Sequence, residues 1–122
     1  MIKTVSYLEI KDLIPFAKKE NLCFNLRTEY CAYFIKNKIV AFCGWMVCGN
    51  KVVLKNDYVL PEYRRQGIYK RLNNYRMNII KALGVRKVES NLTDKSLPLH
   101  LSLGAKIIKK YKCCTKVAYE NL

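Results

Sequence analysis

The stretch from Val52 to Leu92 constrains the fold more than any other part of the chain. Val52–Leu60 reads as a strand and is ended by Pro61. Apolar residues then recur at helical spacing, at Ile68, Leu72, Tyr75, Ile79 and Ala82, with Lys70, Arg71, Asn73, Asn74, Asn78 and Lys81 on the other face. Gly84 is placed to end that helix, and Val85–Leu92 returns as a strand. A strand, one helix and another strand make a crossover, so the two strands run parallel in one sheet.

The remaining segments supply antiparallel partners. Met1–Val5 alternates as a short strand. Asp12 is positioned to cap a helix running to about Asn21, with Pro15 in its first turn, where a missing N–H costs nothing. Tyr30–Ile35, Ile39–Val47 and Val52–Leu60 form a meander turning at Asn37-Lys38 and Gly49-Asn50. A short helix spans about Ser96 to Leu103 and is stopped by Gly104. Ala105–Tyr111 and Cys113–Tyr119 finish as strands. The class is α/β (α+β): a mixed, mostly antiparallel sheet with one parallel strand pair and helices on both faces, in a single domain over 1–122.

Composition narrows the function classes. The 122 residues are 51% hydrophobic, enough for a core, and the apolar runs are far shorter than a membrane span. No signal peptide is visible, so a soluble cytoplasmic protein is expected. The six cysteines form no CxxC pair and His100 is the one histidine, which argues against a metal site. Cys31, Cys43, Cys48, Cys113 and Cys114 fall in strand-like runs, where cysteine acts as a small buried hydrophobe. Net charge is +14 and uneven: residues 64–122 carry 14 basic and three acidic side chains, against nine and six before them. A polyanion partner is implied near the second half, either a nucleic acid or a phosphorylated cofactor.

The chemistry concentrates in Val59-Leu60-Pro61-Glu62-Tyr63-Arg64-Arg65-Gln66-Gly67-Ile68-Tyr69, between a strand and the start of the long helix. Free amides and the helix dipole make such a turn an anion site. Gly67 removes a side chain that would block close approach of a phosphate, and Arg64 and Arg65 add charge. The spacing alone also fits an ordinary helix start with solvated arginines.

Val59, Pro61, Arg64 and Gly67 stand in the register V-x-P-x-x-R-x-x-G, which resembles the acetyl-CoA loop of the GCN5-related N-acetyltransferase (GNAT) family. Leu83-Gly84-Val85 and Leu103-Gly104-Ala105 resemble two later landmarks of that family, and the order of elements fits nearly the whole chain. The resemblance implies an N-acetyltransferase using acetyl-CoA, in which an amine attacks the thioester directly, without an acyl-enzyme. It implies pyrophosphate held by backbone amides of Arg65, Gln66, Gly67, Ile68 and Tyr69, and main-chain pairing of Tyr58 and Val59 with the pantetheine arm, between two strands that splay apart.

Two positions depart from the family pattern. Tyr69 stands where the family has a small residue. His100 stands four residues before Gly104, where many members carry the tyrosine that protonates the leaving thiolate; the resemblance makes His100 the candidate acid, the alternative being a buried histidine satisfied by a backbone carbonyl. Asp57 and Glu89, on the two central strands, are the candidate bases, although Asn56-Asp57 also reads as a bulge. The competing readings are a CoA-binding module without catalysis and a basic nucleic-acid-binding protein. The short segment Asn21–Glu29 suggests an open site and a peptide, protein or other macromolecular amine, and an exposed sheet edge suggests a homodimer.

Overall fold

The structure, a computed structural model, describes residues 1–20 and 22–120. Its strands are β1 (Ile2–Val5), β2 (Glu29–Ile35), β3 (Lys38–Cys48), β4 (Lys51–Val59), β5 (Lys87–Leu92), β6 (Lys106–Lys110) and β7 (Thr115–Glu120); its helices are α1 (Ile14–Lys19), α2 (Ile68–Ala82) and α3 (Leu97–Ser102). The strands form one mixed sheet in the order β1-β2-β3-β4-β5-β7-β6. Only β4 and β5 run parallel, joined by α2 as the crossover pattern requires.

That parallel pair is short. Its register runs from Lys51↔Lys87 to Val53↔Glu89 and then stops. Beyond it, β4 stays paired with β3 as far as Val59, while β5 stays paired with β7 as far as Leu92. The two central strands therefore part company, opening a gap in the sheet. A bulge helps: β4 places Asn56 and Asp57 opposite Cys43 alone, and Asn56 takes φ +58°. An extra residue bends the strand and re-aims its side chains.

Each face of the sheet has its own filling. Towards α1, Tyr30, Phe42 and Tyr58 stack in an aromatic cluster with Tyr7 and Phe24. Towards α2 lie Cys31 and Cys43, buried with sulfurs 3.4 Å apart, and the Cys43 thiol meets the Leu72 carbonyl.

Four expectations need correcting. Asp12 does not cap α1; Leu13 holds that place without a side-chain bond, and the helix ends at Lys19. Asn21, read as its end, lies outside the described residues. The apolar stripe of α2 is rotated: Ala82 is exposed, while Asn73, Arg76 and Met77 are buried with Ile68, Leu72 and Ile80. Cys113 and Cys114 sit in the bend before β7, outside any strand, and Cys113 is exposed, because the two-strand hairpin needs that turn.

Candidate active site

The turn into α2 is built by its backbone. Arg65 and Gly67 both adopt left-handed φ, +64° and +78°, which folds the chain sharply after the short 3₁₀ turn Pro61–Tyr63. Consequently the amides of Arg65, Gln66, Gly67, Ile68 and Tyr69 have no acceptor among the described residues; the first helical bond to the turn runs from Arg71 N–H to the Gly67 carbonyl. A Cβ at Gly67 would find only the Arg71 guanidinium, 3.6 Å away. Arg71 in turn closes the turn from below, donating to the Gln66 carbonyl and the Tyr33 hydroxyl at 3.0 and 2.7 Å.

The two arginines of the motif divide their labour. Arg64 is committed to the protein: it donates to both Glu20 oxygens at 2.9 and 2.8 Å and to the Val59 carbonyl at 2.8 Å, and stacks over Tyr58. Arg65 is exposed and carries the turn's available charge. Gln66 bonds the Glu62 carbonyl.

On the β4 side of the gap, Leu60 N–H donates to Val40 of β3. Main-chain groups alternate along a strand, so those of Val59 face the gap and those of Tyr58 face β3. With the Val59 carbonyl taken by Arg64, the Val59 N–H is the group that faces the opening. Tyr58 contributes its ring to the aromatic cluster, not its main chain to the gap.

The floor of the gap is a chain of polar side chains. The Asp57 carboxylate accepts from both terminal nitrogens of Arg76 and from the Tyr69 hydroxyl. Arg76 is fully buried and also donates to the Gly44 carbonyl and to Asn73 Oδ1. Gly44 leaves no room for a side chain: a Cβ there would lie 2.7 Å from Thr28 Cγ2 and 3.0 Å from the Glu29 and Lys55 carbonyl oxygens. The Tyr69 oxygen also meets His100 Nε2 at 2.8 Å, and His100 Nδ1 meets the Tyr119 hydroxyl at 2.6 Å.

Counting protons fixes the histidine. The single Tyr69 proton goes to the Asp57 carboxylate, which has none to give, so Tyr69 accepts from His100. His100 therefore carries its proton on Nε2, and Nδ1 accepts from Tyr119. Burial, opposed only in part by Asp57, lowers the His100 pKa to about 4. Burial likewise raises Tyr119 to about 12, and burial with the Asp57 charge holds Tyr69 well above a phenol's usual value. At neutral pH all three rings are uncharged.

The sequence-derived candidates thus separate. Asp57, Tyr69 and His100 meet in one cluster, and Asp57 and Tyr69 line a cleft of about 650 Å³ together with Val59, Arg64, Arg65 and Ser96. An adjoining cleft of about 260 Å³ is lined by the turn itself, including Gly67 and Ile68. Glu89 is elsewhere, with Lys51, Lys87 and Lys116 around it at 3.0, 3.4 and 3.7 Å. His100 is satisfied by two hydroxyls, not a backbone carbonyl. Arg76 and Tyr119 were missed. Tyr69, Asn73 and Arg76 stand at i, i+4 and i+7, one face of a helix, and that spacing is the signal that finds Arg76; Tyr119, on β7, carries no such signal.

The sequence model of the Acetyltransferase (GNAT) family matches residues 4–105. Among solved structures, the IAA acetyltransferase of Bacillus cereus ATCC 14579 superposes with TM-score 0.82 at 16% identity, covering 98% of each chain. The PaiA N-acetyltransferase of Thermoplasma acidophilum, solved in complex with coenzyme A, gives 0.71 at 17% identity over 95% of this chain and 80% of that one. The ribosomal-protein-S18-alanine N-acetyltransferase of Escherichia coli gives 0.75 at 16% identity over 97% and 90%. No curated protein matches the sequence. With a parallel pair that opens above an amide-lined turn, and a family match over most of its length, the chain belongs to the GNAT family of acetyl-CoA-dependent N-acetyltransferases. No helix among the described residues is long and apolar enough to cross a membrane.

Proposed function

We propose that this chain transfers an acetyl group to an amine presented by a peptide or protein, by direct attack in the cleft between β4 and β5. The observation that carries the reading is the run of acceptor-free amides from Arg65 to Tyr69, opening beside the cleft that Asp57 and Tyr69 line. These residues fit coenzyme A. Five unpaired donors at the start of a 15-residue helix suit a pyrophosphate, Arg65 adds charge, and the Val59 N–H offers one main-chain donor to the pantetheine arm. Acetyl-CoA, when bound, would supply the thioester carbonyl that the amine attacks, the C–S bond breaking as the C–N bond forms and the departing thiolate taking its proton from solvent.

The protein's own contribution is mainly to hold two reactants in register. Arg64 and Arg71 brace the turn from both sides. Asp57 keeps negative charge at the cleft floor, where an approaching ammonium is attracted. Its oxygens are already engaged by Arg76 and Tyr69, so the amine loses its proton to solvent, and turnover rises with pH towards the acceptor's own pKa. His100, neutral and enclosed, holds a proton on Nε2 against the Tyr69 oxygen and does not titrate in the working range.

The cleft of about 650 Å³, with few residues in sequence between α1 and β2 to cover it, favours a macromolecular acceptor. Incubation with acetyl-CoA and a mixture of peptides and small polyamines, read by mass spectrometry, tests this. Peptide amines are expected to gain one acetyl group faster than the polyamines. Acetylation confined to the polyamines contradicts the acceptor class, and acetyl-CoA binding without any transfer favours a CoA-binding module that lost catalysis.

A further inference from the structure

We infer that Tyr69 is a positioning residue that latches the cofactor turn to the floor of the cleft, so that the aim of the turn's amides depends on the Asp57–Arg76 pair and the buried His100–Tyr119 pair. The inference rests on the reading that the turn holds the pyrophosphate.

Tyr69 has one end in each place. Its amide belongs to the acceptor-free run, in the first turn of α2. Its hydroxyl lies on the cleft floor, between Asp57 and His100. The side chain joining them is a flat ring with two rotatable bonds, so fixing the hydroxyl leaves the backbone little room to rotate.

Both partners of that hydroxyl are themselves held from behind. Asp57 cannot swing, because Arg76 grips both of its oxygens, and Arg76 is held by the Gly44 carbonyl of β3 and by Asn73 on its own helix. His100 cannot turn, because Nδ1 is tied to Tyr119 of β7. The hydroxyl is thus located by β3, β4, α3 and β7 at once. A residue that merely filled space at this position would need none of these bonds, and the small residue usual there could make none. A bulky side chain in a phosphate turn is tolerated here because it points under the turn and not into it.

Coupling of this kind is reciprocal: if the floor steadies the turn, a ligand on the turn must steady the floor. Titration of desulfo-CoA, followed by calorimetry and by ¹⁵N resonances of the His100 ring, tests it. Tyr69→Phe is expected to fold with an unchanged circular-dichroism spectrum and to bind desulfo-CoA about tenfold more weakly, the scale of one lost hydrogen bond to a charged group. In the unaltered protein His100 stays in the Nε2–H form, and its ring resonances shift on binding; in Tyr69→Phe that response disappears. His100→Leu, at a position that meets the turn only through the Tyr69 hydroxyl, also weakens binding, and His100→Gln, which can return an N–H to the same point, restores it. Equal affinity in Tyr69→Phe and the unaltered protein overturns the latch while leaving the cofactor site in place. If the unaltered protein itself fails to bind, the cofactor reading falls and the latch with it.

Discussion

Asp57 and Glu89 occupy neighbouring central strands, each beside cationic side chains, yet they do different things. The cations around Glu89 come from Lys51, Lys87 and Lys116, whose side chains are 45%, 38% and 33% exposed. Its carboxyl is held below the usual range chiefly by the bond from Lys51. Water can replace any one of those lysines. Asp57 faces an arginine with no exposure at all, and nothing can replace the aspartate for that guanidinium. Glu89 is itself the less exposed carboxylate, 10% against 23% for Asp57, so the difference teaches that burial of the cation, more than the number of partners, decides whether an ion pair is replaceable or a fixed part of a site.

Breaking the Asp57 side should therefore cost most. Asp57→Asn leaves the Arg76 charge buried without a counter-ion and should lower stability by about 3–5 kcal/mol in chemical denaturation. Next comes the histidine on the same cluster. Its folded pKa, about 4, lies below the ordinary 6.5, so its neutral form contributes stability that is fully present above about pH 6.5. That contribution is lost as pH falls towards 4, by about 3 kcal/mol in all. Urea midpoints measured across that window should fall steeply in the unaltered protein and much less in His100→Gln. Gly67→Ala should cost about 1 kcal/mol, because a Cβ there has room but the left-handed φ of +78° does not suit it. Glu89→Gln should be smallest, within about 1 kcal/mol and shrinking further with salt. A Glu89→Gln loss as large as that of Asp57→Asn would erase the distinction.

Much of the fold was legible in sequence because it is written in local signals. The meander shows as alternating runs between Asn37-Lys38 and Gly49-Asn50, and the crossover as a change from strand to helix period. The turn was legible because Pro61, Arg64 and Gly67 each answer a backbone requirement. What stayed hidden depends on tertiary direction. Asn73 reads as polar and therefore as outward; in the structure Arg76 turns inward because Asp57, on a bulge of another strand, accepts from it, and Asn73 turns inward with its Oδ1 accepting from Arg76. Tyr69 reads as an obstruction in a phosphate turn until the hydroxyls, ring nitrogens and carboxylate beneath it are known. Asp12 offers a helix cap, but the 3₁₀ turn at Leu8–Ile10 leads the chain into α1 in a helical conformation already, leaving no place for one.

The central claim is that the turn from Arg64 to Tyr69 holds the phosphates of acetyl-CoA. Calorimetric titration of acetyl-CoA into the unaltered protein and into Gly67→Glu tests it most directly. The introduced carboxylate would lie over the acceptor-free amides, close to Arg71, so the variant should fold while its charge repels the pyrophosphate. The account predicts saturable one-to-one binding to the unaltered protein and none to Gly67→Glu, with matching circular-dichroism spectra. Binding of equal strength to both would contradict it.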